Sequence, residues 1–421
     1  MAGTRPAYLE LSSAIKPEHE QVRDLAHQMA ADLLRPASLQ LDKLSPAEVV
    51  ATGSPLWDVV RAWYGLGQHA AVLSEEVGGA GLDPLAQSLV FEELGWGAAD
   101  LAVSLGVASF PFVFAERAAM LSGSRALIDD IVAPYVADRE GRFIGCWALT
   151  EPGHGSDQLG IGMESFNREG AGGGCRARRD GDEWVLSGQK SAWVSNGTIA
   201  THALLFCTID PRLGMAGGGV AVVPLDVPGV KRGVPLDKIG QRALNQGEIF
   251  FDDARVPAEY MIAGPELYTA ALDMTLATAN AAMGSMFTGL ARAAFEEALT
   301  YARERRQGGK VIAEHQLVQS KLFGMFSRVE QARALSRSVF VYNSIALPPV
   351  LQYSIASKVS CTRAAFETAS DAIQIFGGTG LVRGMLVEKL FRDARSSLIE
   401  DGVNEFLELV GACKVIASYG T

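Results

Sequence analysis

Five short segments place reactive side chains at spacings that chemistry can use. In Leu398-Ile399-Glu400-Asp401-Gly402 two adjacent carboxylates stand beside aliphatic residues. An apolar surround raises a carboxyl pKa toward the range of a general base, although exposed loop acids are the commoner use of such a pair. The run Trp147-Ala148-Leu149-Thr150-Glu151-Pro152-Gly153-His154-Gly155-Ser156-Asp157 reads as a strand entering a Gly/Pro turn with two hydroxyls. Such a loop offers N–H groups to anionic or carbonyl oxygens; a plain turn is the alternative. In Trp193-Val194-Ser195 the indole can stack on a planar ring while the hydroxyl reaches its edge, or the Trp can simply fill a core. Arg305-Arg306-Gln307-Gly308-Gly309-Lys310, followed by His315-Gln316, combines cations with flexible glycine, which suits a phosphate; a charged interhelical loop has the same composition. Gln374-Ile375-Phe376-Gly377-Gly378-Thr379-Gly380 allows a ligand close to the backbone, or caps a helix. It follows a helix, so it is not a Rossmann fingerprint. His154 reads as a surface or substrate-rim residue.

These segments need elements to hold them. At 421 residues the chain has room for about three domains. Residues 17–140 are rich in Ala, Leu and Glu, with helical spacing from Val22 through Leu25, Met29 and Leu33. Glycines at 78, 79 and 81 and Pro84 break that pattern before it resumes. From Gly141 the texture changes to short apolar runs (143–149, 184–186, 203–209, 219–223 and 248–251) separated by Gly, Asp and Pro. This predicts an antiparallel β domain. The nearly all-glycine tract 170–174 predicts a flexible hairpin tip. After Pro257 the chain is helical, with stripes Phe366, Ala369, Ile373, Phe376 and Val403, Phe406, Leu407, Val410. The fold class is therefore mostly α with a central β domain, divided at 1–142, 143–258 and 259–421.

Composition narrows the function. Hydrophobic residues make up 48% and charged residues 20%, which excludes general disorder. A net charge of −11 disfavours nucleic acid as a partner, despite a local cluster of Arg303, Arg305, Arg306 and Lys310. Cys146, Cys175, Cys207, Cys361 and Cys413 are odd in number and form no CxxC, which points away from disulfides and toward a reducing compartment. The six histidines form no HxxxH or HExxH, so no metal site is expected. Residues 1–21 lack an apolar h-region and no apolar run approaches about 18 residues, so neither a signal peptide nor a membrane span is expected and the cytoplasm is the default location.

Three stretches tie the segments together. They are Leu73-Ser74-Glu75-Glu76-Val77-Gly78-Gly79-Ala80-Gly81-Leu82 with Glu92-Glu93-Leu94, the Thr150-to-Asp157 motif, and Gln374 to Gly380 leading to Glu388-Lys389-Leu390-Phe391-Arg392-Asp393-Ala394. In this order they resemble the flavin-dependent acyl-CoA dehydrogenase family over residues 17–417. The resemblance implies an N-terminal α domain, a middle antiparallel β-barrel or sandwich and a C-terminal four-helix bundle. It implies non-covalent FAD and a homotetramer built as a dimer of dimers. Trp147, Leu149 and Thr150 then belong to the segment facing the flavin pyrimidine edge. Trp193 lies against the isoalloxazine, Ser195 near its N5 and Ser156 at a phosphate. Arg305 and Gln316 reach FAD pyrophosphate and adenosine across a subunit boundary, and Gln374, Gly377 and Gly378 touch the same region. The implied reaction removes the α-proton of an acyl thioester, on CoA or on an acyl carrier protein, and passes the β-hydride to flavin N5. An electron-transfer flavoprotein is the implied acceptor.

The sequence also departs from the family. The usual base is a Glu in Tyr-Glu-Gly-Thr; counting from Ala394 puts Asp401 there, one methylene shorter, and Glu400 at the aromatic. An earlier helix bears the base in some members, but Ala279-Asn280-Ala281 carries no carboxylate. Asp401 is thus the expected base, with Glu400 the other candidate. An Asp base also resembles that of nitroalkane oxidase, so a same-fold oxidase or monooxygenase using oxygen is the alternative; a third reading is a non-catalytic or partner-dependent subunit. Gly308 replaces the usual Phe beside the cofactor adenine. The tract 160–174 is about a dozen residues longer than is usual, and suits a tolerated insertion or a contact with a carrier protein.

Overall fold

The computed structural model describes residues 9–419. The N-terminal part contains α1 (Pro17–Met29), α2 (Arg35–Leu41), α3 (Pro46–Val50), α4 (Pro55–Gly65), α5 (Pro84–Val107), α6 (Phe110–Ser122) and α7 (Ala133–Ala137). Several starts are fixed locally: Ser45, Ser54 and Asp83 each accept a hydrogen bond from the first turn of the following helix, whose first residue is Pro. The stretch Pro84–Ser122 is long and apolar enough to cross a membrane, contrary to the expectation that no such run exists. Its most apolar window is 83% buried inside the protein, so it forms core.

The middle part contains β1 (Gly145–Ala148), β2 (Arg176–Asp180), β3 (Glu183–Ser195), β4 (His202–Thr208), β5 (Gly218–Pro224), β6 (Val230–Arg232), β7 (Gln246–Pro257) and β8 (Met261–Ala263). They form one sheet in the order β6-β7-β3-β2-β4-β5-β8, with β1 added on β4. The sheet is mixed, which corrects the expected antiparallel domain. β1 runs parallel to β4, pairing Gly145 with His202 through Ala148 with Leu205, and Arg176 of β2 pairs with Thr208 in the same sense. A parallel pair needs a long crossover; the loop after β1 and the β2–β3 hairpin supply it, and the local strand pattern carries no trace of pairing direction. β3 and β7 are antiparallel, with a register shift between Lys190 and Val194.

The glycine tract is tied down and is not a flexible tip. Gly170 N–H donates to Pro211 O (3.1 Å), Thr208 Oγ1 to Gly173 O (2.9 Å), and Gly174 N–H to Glu151 Oε2 (2.5 Å). A Cβ on Gly173 would lie 2.4 Å from Glu151 Oε1, so glycine is required for this approach.

The C-terminal part contains α8 (Pro265–Glu304), a hairpin of β9 (Arg306–Gln307) and β10 (Lys310–Val311), then α9 (Gln316–Ile345), α10 (Leu351–Phe376), α11 (Leu386–Ser397) and α12 (Asn404–Ser418). α8 and α10 run parallel: Gly284 abuts Ser357, and Tyr301 stacks on Phe376 at 4.0 Å. α9 returns between them, with Lys321 and Arg328 both paired to Asp371. Buried Glu92 on α5 meets Arg292 of α8 and Arg333 and Arg337 of α9 at 3.0–3.1 Å. Burial opposes its charge, but the three guanidiniums prevail and hold the carboxyl well below the usual range.

α5 and α8 cross where Gly95 and Gly289 let the backbones touch. An added Cβ would sit 1.9 Å from Met286 O or 2.0 Å from Glu92 O. Neither obstacle is a flexible side-chain end, so the helices must separate. Gly95→Ala and Gly289→Ala are each expected to destabilise by about 1–3 kcal/mol or more, read as a Tm lower by several degrees. An unchanged Tm would mean that the two helices separate at no cost.

Candidate active site

The two acids lie in the short connection between α11 and α12. Asp401 (φ +52°) and Gly402 (φ +101°) are consecutive left-handed residues. Asp tolerates this conformation better than most residues. Gly402 has no substitute, because a Cβ would meet Leu407 and Leu159 at 2.7 and 2.9 Å. Four side chains fix the turn. Asn280 Nδ2 donates to Asp401 O (3.2 Å), Lys358 Nζ to Gly402 O and Asn404 Oδ1 (both 2.7 Å), and Asn404 Nδ2 to Thr362 Oγ1 (3.0 Å). Ser156 Oγ accepts from Val403 N–H (3.0 Å). The motif loop and the acid turn, 247 positions apart, are thus in contact.

Both acids are half-buried. Burial pushes Asp401 up to about 6, with Lys358 acting against the rise. Burial and the neighbouring Asp401 charge push Glu400 up to about 7, opposed by Gln241, Lys358 and Lys238. Burial likewise lowers the Lys358 ammonium to about 8, against the attraction of Asp401 and Glu400. An acid with a pKa near 6 is ionised at neutral pH yet basic enough to take a proton. Glu400 Oε1 accepts from Gln241 Nε2 (2.5 Å). Gln241 is itself left-handed (φ +48°), and its N–H donates to Asp393, which with Asp100 brackets the buried Lys389.

The facing sheet carries the next group. Thr150 Oγ1 accepts from Ser191 Oγ (3.2 Å), and its carbonyl from Ser191 N–H. Leu149 is buried, and its carbonyl together with Glu151 accepts from buried Lys190 Nζ (2.8 and 2.7 Å). Trp147 packs at a tilt between Phe110 and Phe206. The register shift in β3 turns Trp193 outward, 60% exposed, while Val194 stays buried. Gln246 Nε2 reaches Trp193 O and Ser195 Oγ (both 3.3 Å), and Lys238 Nζ donates to Gln246 Oε1 (2.9 Å). Lys238 also feels the Glu400 charge, so two residues, Gln246 and Lys238, stand between Ser195 and Glu400.

The remaining expected residues lie elsewhere. Arg305 and Gln316 flank the exposed β9–β10 hairpin, and Gln374, Gly377 and Gly378 are exposed at the end of α10. The Tyr301–Phe376 stack joins these two ends. Asn280, level with Asp401, is twenty-five residues back from Arg305 along α8, about 37 Å at 1.5 Å per residue. One chain therefore does not bring the two groups together.

Lys358 and Gln241 were not singled out from the sequence, and Asn280 was noted there only for carrying no carboxylate. Lys358 had a signal: projecting the Phe366, Ala369, Ile373 stripe backward at helical spacing puts this lysine on the buried face. Among the described residues no cluster of three or more His, Cys, Asp or Glu side chains is placed to hold a metal ion. The five cysteines are free thiols, four of them buried.

The outward indole of Trp193, next to the Ser195 hydroxyl, fits a planar ring and a hydrogen bond at its edge. The class is that of flavin-dependent oxidoreductases. The acyl-CoA dehydrogenase N-terminal, middle and C-terminal domains match residues 16–140, 146–254 and 269–415, and the chain belongs to this family. The mitochondrial short-chain specific acyl-CoA dehydrogenase of Bos taurus is 32% identical over 422 residues, covering 99% of this chain and 95% of its own. Among solved structures, butyryl-CoA dehydrogenase from Megasphaera elsdenii superposes with a TM-score of 0.83 at 25% identity, covering 96% of this chain and 100% of that one. The prolyl acyl carrier protein oxidase AnaB does so at 0.79 and 25%, covering 95% and 99%. The protein is an FAD-dependent oxidoreductase that acts on the CH–CH bond of an acyl thioester.

Proposed function

We propose that Asp401 is the base that takes the α-proton of the thioester. The observation that carries this is its half-buried carboxyl, with a pKa near 6, in a turn locked by Lys358 and Asn280. Glu400 is the second carboxylate of the site. FAD, when bound, accepts the hydride from the β-carbon. Trp193 and Ser195 would hold its ring, with Thr150 on the neighbouring strand end. The Asn280-to-Asp401 hydrogen bond fixes the base while the substrate lies between it and the sheet.

The 37 Å gap supports a homotetramer in which Arg305, Gln316, Gln374, Gly377 and Gly378 serve a cofactor bound to a partner subunit. Leu317 and Phe323 on α9 are 87% and 70% exposed near that end, as an interface would need. The thioester is carried on CoA or on an acyl carrier protein, and an electron-transfer flavoprotein takes the electrons. Five free thiols suit a reducing compartment such as the cytoplasm.

The test is anaerobic visible spectroscopy of the FAD-loaded protein titrated with short-chain, medium-chain and branched acyl-CoAs. Bleaching of the flavin is the expected result. A flavin left oxidised by every acyl-CoA and every carrier-bound acyl group would sink the proposal.

A further inference from the structure

The acid pair is short of hydrogen-bond donors. Among the described residues neither Glu400 nor Asp401 has a cation within 4 Å of a carboxylate oxygen. Lys358 and Lys238 are close, but each ammonium is held by a backbone carbonyl and a carboxamide oxygen: Gly402 O and Asn404 Oδ1 for the first, Leu244 O and Gln246 Oε1 for the second. Glu400 uses one oxygen for Gln241, and among the described residues no hydrogen bond reaches its other oxygen or the Asp401 carboxylate. A second feature lies beside the first. Gln241 and Asn280 are 1% and 0% exposed, and each spends its amide N–H groups next to the acids: Gln241 on Glu400 Oε1 and Asp393 O, Asn280 on Asp401 O. Those contacts are all to acceptors, so the orientation of both carboxamides is fixed. Gln241 Oε1 and Asn280 Oδ1 are left buried without a donor.

An unbranched fatty acyl chain has no N–H or O–H to offer. Gln241 Oε1 and Asn280 Oδ1 are already buried from water, but covering the half-buried carboxyls with methylenes would strip water from the ionised Asp401 and return nothing, and would drive Glu400, already pushed up to about 7, to take a proton. A substrate that carries a cation makes up the shortage. We infer that Glu400 is a specificity-determining residue that binds a protonated amine on the acyl part of the thioester, leaving Asp401 free to take the α-proton. This inference rests on the dehydrogenase reading above. An ammonium placed against Glu400 gains a charge-assisted hydrogen bond where the uncharged isostere leaves the carboxylate unpaired, a preference of about ten- to a hundredfold.

The test compares isosteres on the FAD-loaded enzyme. Two unreactive thioethers, S-(3-aminopropyl)-CoA and S-butyl-CoA, are titrated by the change they cause in the flavin spectrum. Two thioesters, β-alanyl-CoA and butyryl-CoA, are titrated for bleaching. The expected result is Kd at least tenfold lower for the aminopropyl thioether, falling to near parity in Glu400→Gln that still binds FAD, with β-alanyl-CoA bleaching at the lower concentration. Equal or tighter binding of S-butyl-CoA overturns the inference, as does a preference that survives in Glu400→Gln. Bleaching by butyryl-CoA but not by β-alanyl-CoA overturns it while leaving the dehydrogenase reading intact. Bleaching by no thioester, including the wider acyl-CoA and carrier-bound panels, removes both.

Discussion

Asp401→Asn is expected to keep FAD and the fold and to reduce the bound flavin about 10²–10⁴-fold more slowly with an acyl thioester, the usual worth of a positioned base. The substitution isolates the chemistry. Asn has nearly the same volume as Asp and is among the few residues that accept φ near +52°. The backbone bonds from Asn280 and Lys358 do not involve the Asp401 side chain, so the turn survives. What is lost is the capacity to hold a proton. In the unaltered enzyme the rate of flavin reduction should rise with pH through about 6, where Asp401 ionises, and then level. Glu400 titrates nearby, so the rising limb is broadened by the pair. Rapid-mixing spectroscopy under anaerobic conditions checks both statements. A rate in Asp401→Asn within tenfold of the original would move the base to Glu400, one residue earlier in the same turn.

The location of the acid was legible because it follows from counting. Ala394, Asp401 and the final helical stripe are close in sequence, and no insertion falls between them. The Thr150-to-Asp157 loop and Trp193-Val194-Ser195 were legible for the same reason, since each is a local motif. What brings them together was not. Ser156 meets Val403 only because two domains pack, and no local pattern encodes that contact. Within that segment Trp147 enters aromatic packing and Leu149 is buried, while Thr150 stays half-buried, and the local pattern does not tell these three environments apart. The glycine tract misled for a different reason. Glycines permit mobility, but here their missing side chains admit the buried Glu151 carboxylate. The parallel pairing of β1 with β4 was illegible because strand direction is set by long-range connection.

Lys358→Met tests whether the buried lysine sets the chemistry as well as the shape of the acid turn. Lys358 opposes the rise of the Asp401 pKa, so removing its charge lets burial act alone and the pKa climbs above about 6. The sign follows directly. A higher pKa leaves less of the base ionised at a given pH, so the rising limb of the rate profile moves to higher pH. A displacement of about one unit makes the variant about fivefold slower near pH 6, about tenfold slower well below it, and nearly equal near pH 9. The change also strips a donor from Gly402 O and Asn404 Oδ1, each about 1–3 kcal/mol if left unsatisfied, so a lower Tm accompanies it. The two effects separate by pH. A deficit that disappears at high pH is electrostatic and belongs to the missing cation. A deficit constant across pH belongs to a displaced turn, because a base held in the wrong place stays wrong in either protonation state. A profile with an unmoved limb would mean that the Lys358 charge does not act on the base. Lys358→Arg, which keeps the charge, should leave the limb in place if the guanidinium can be accommodated beside Asn404.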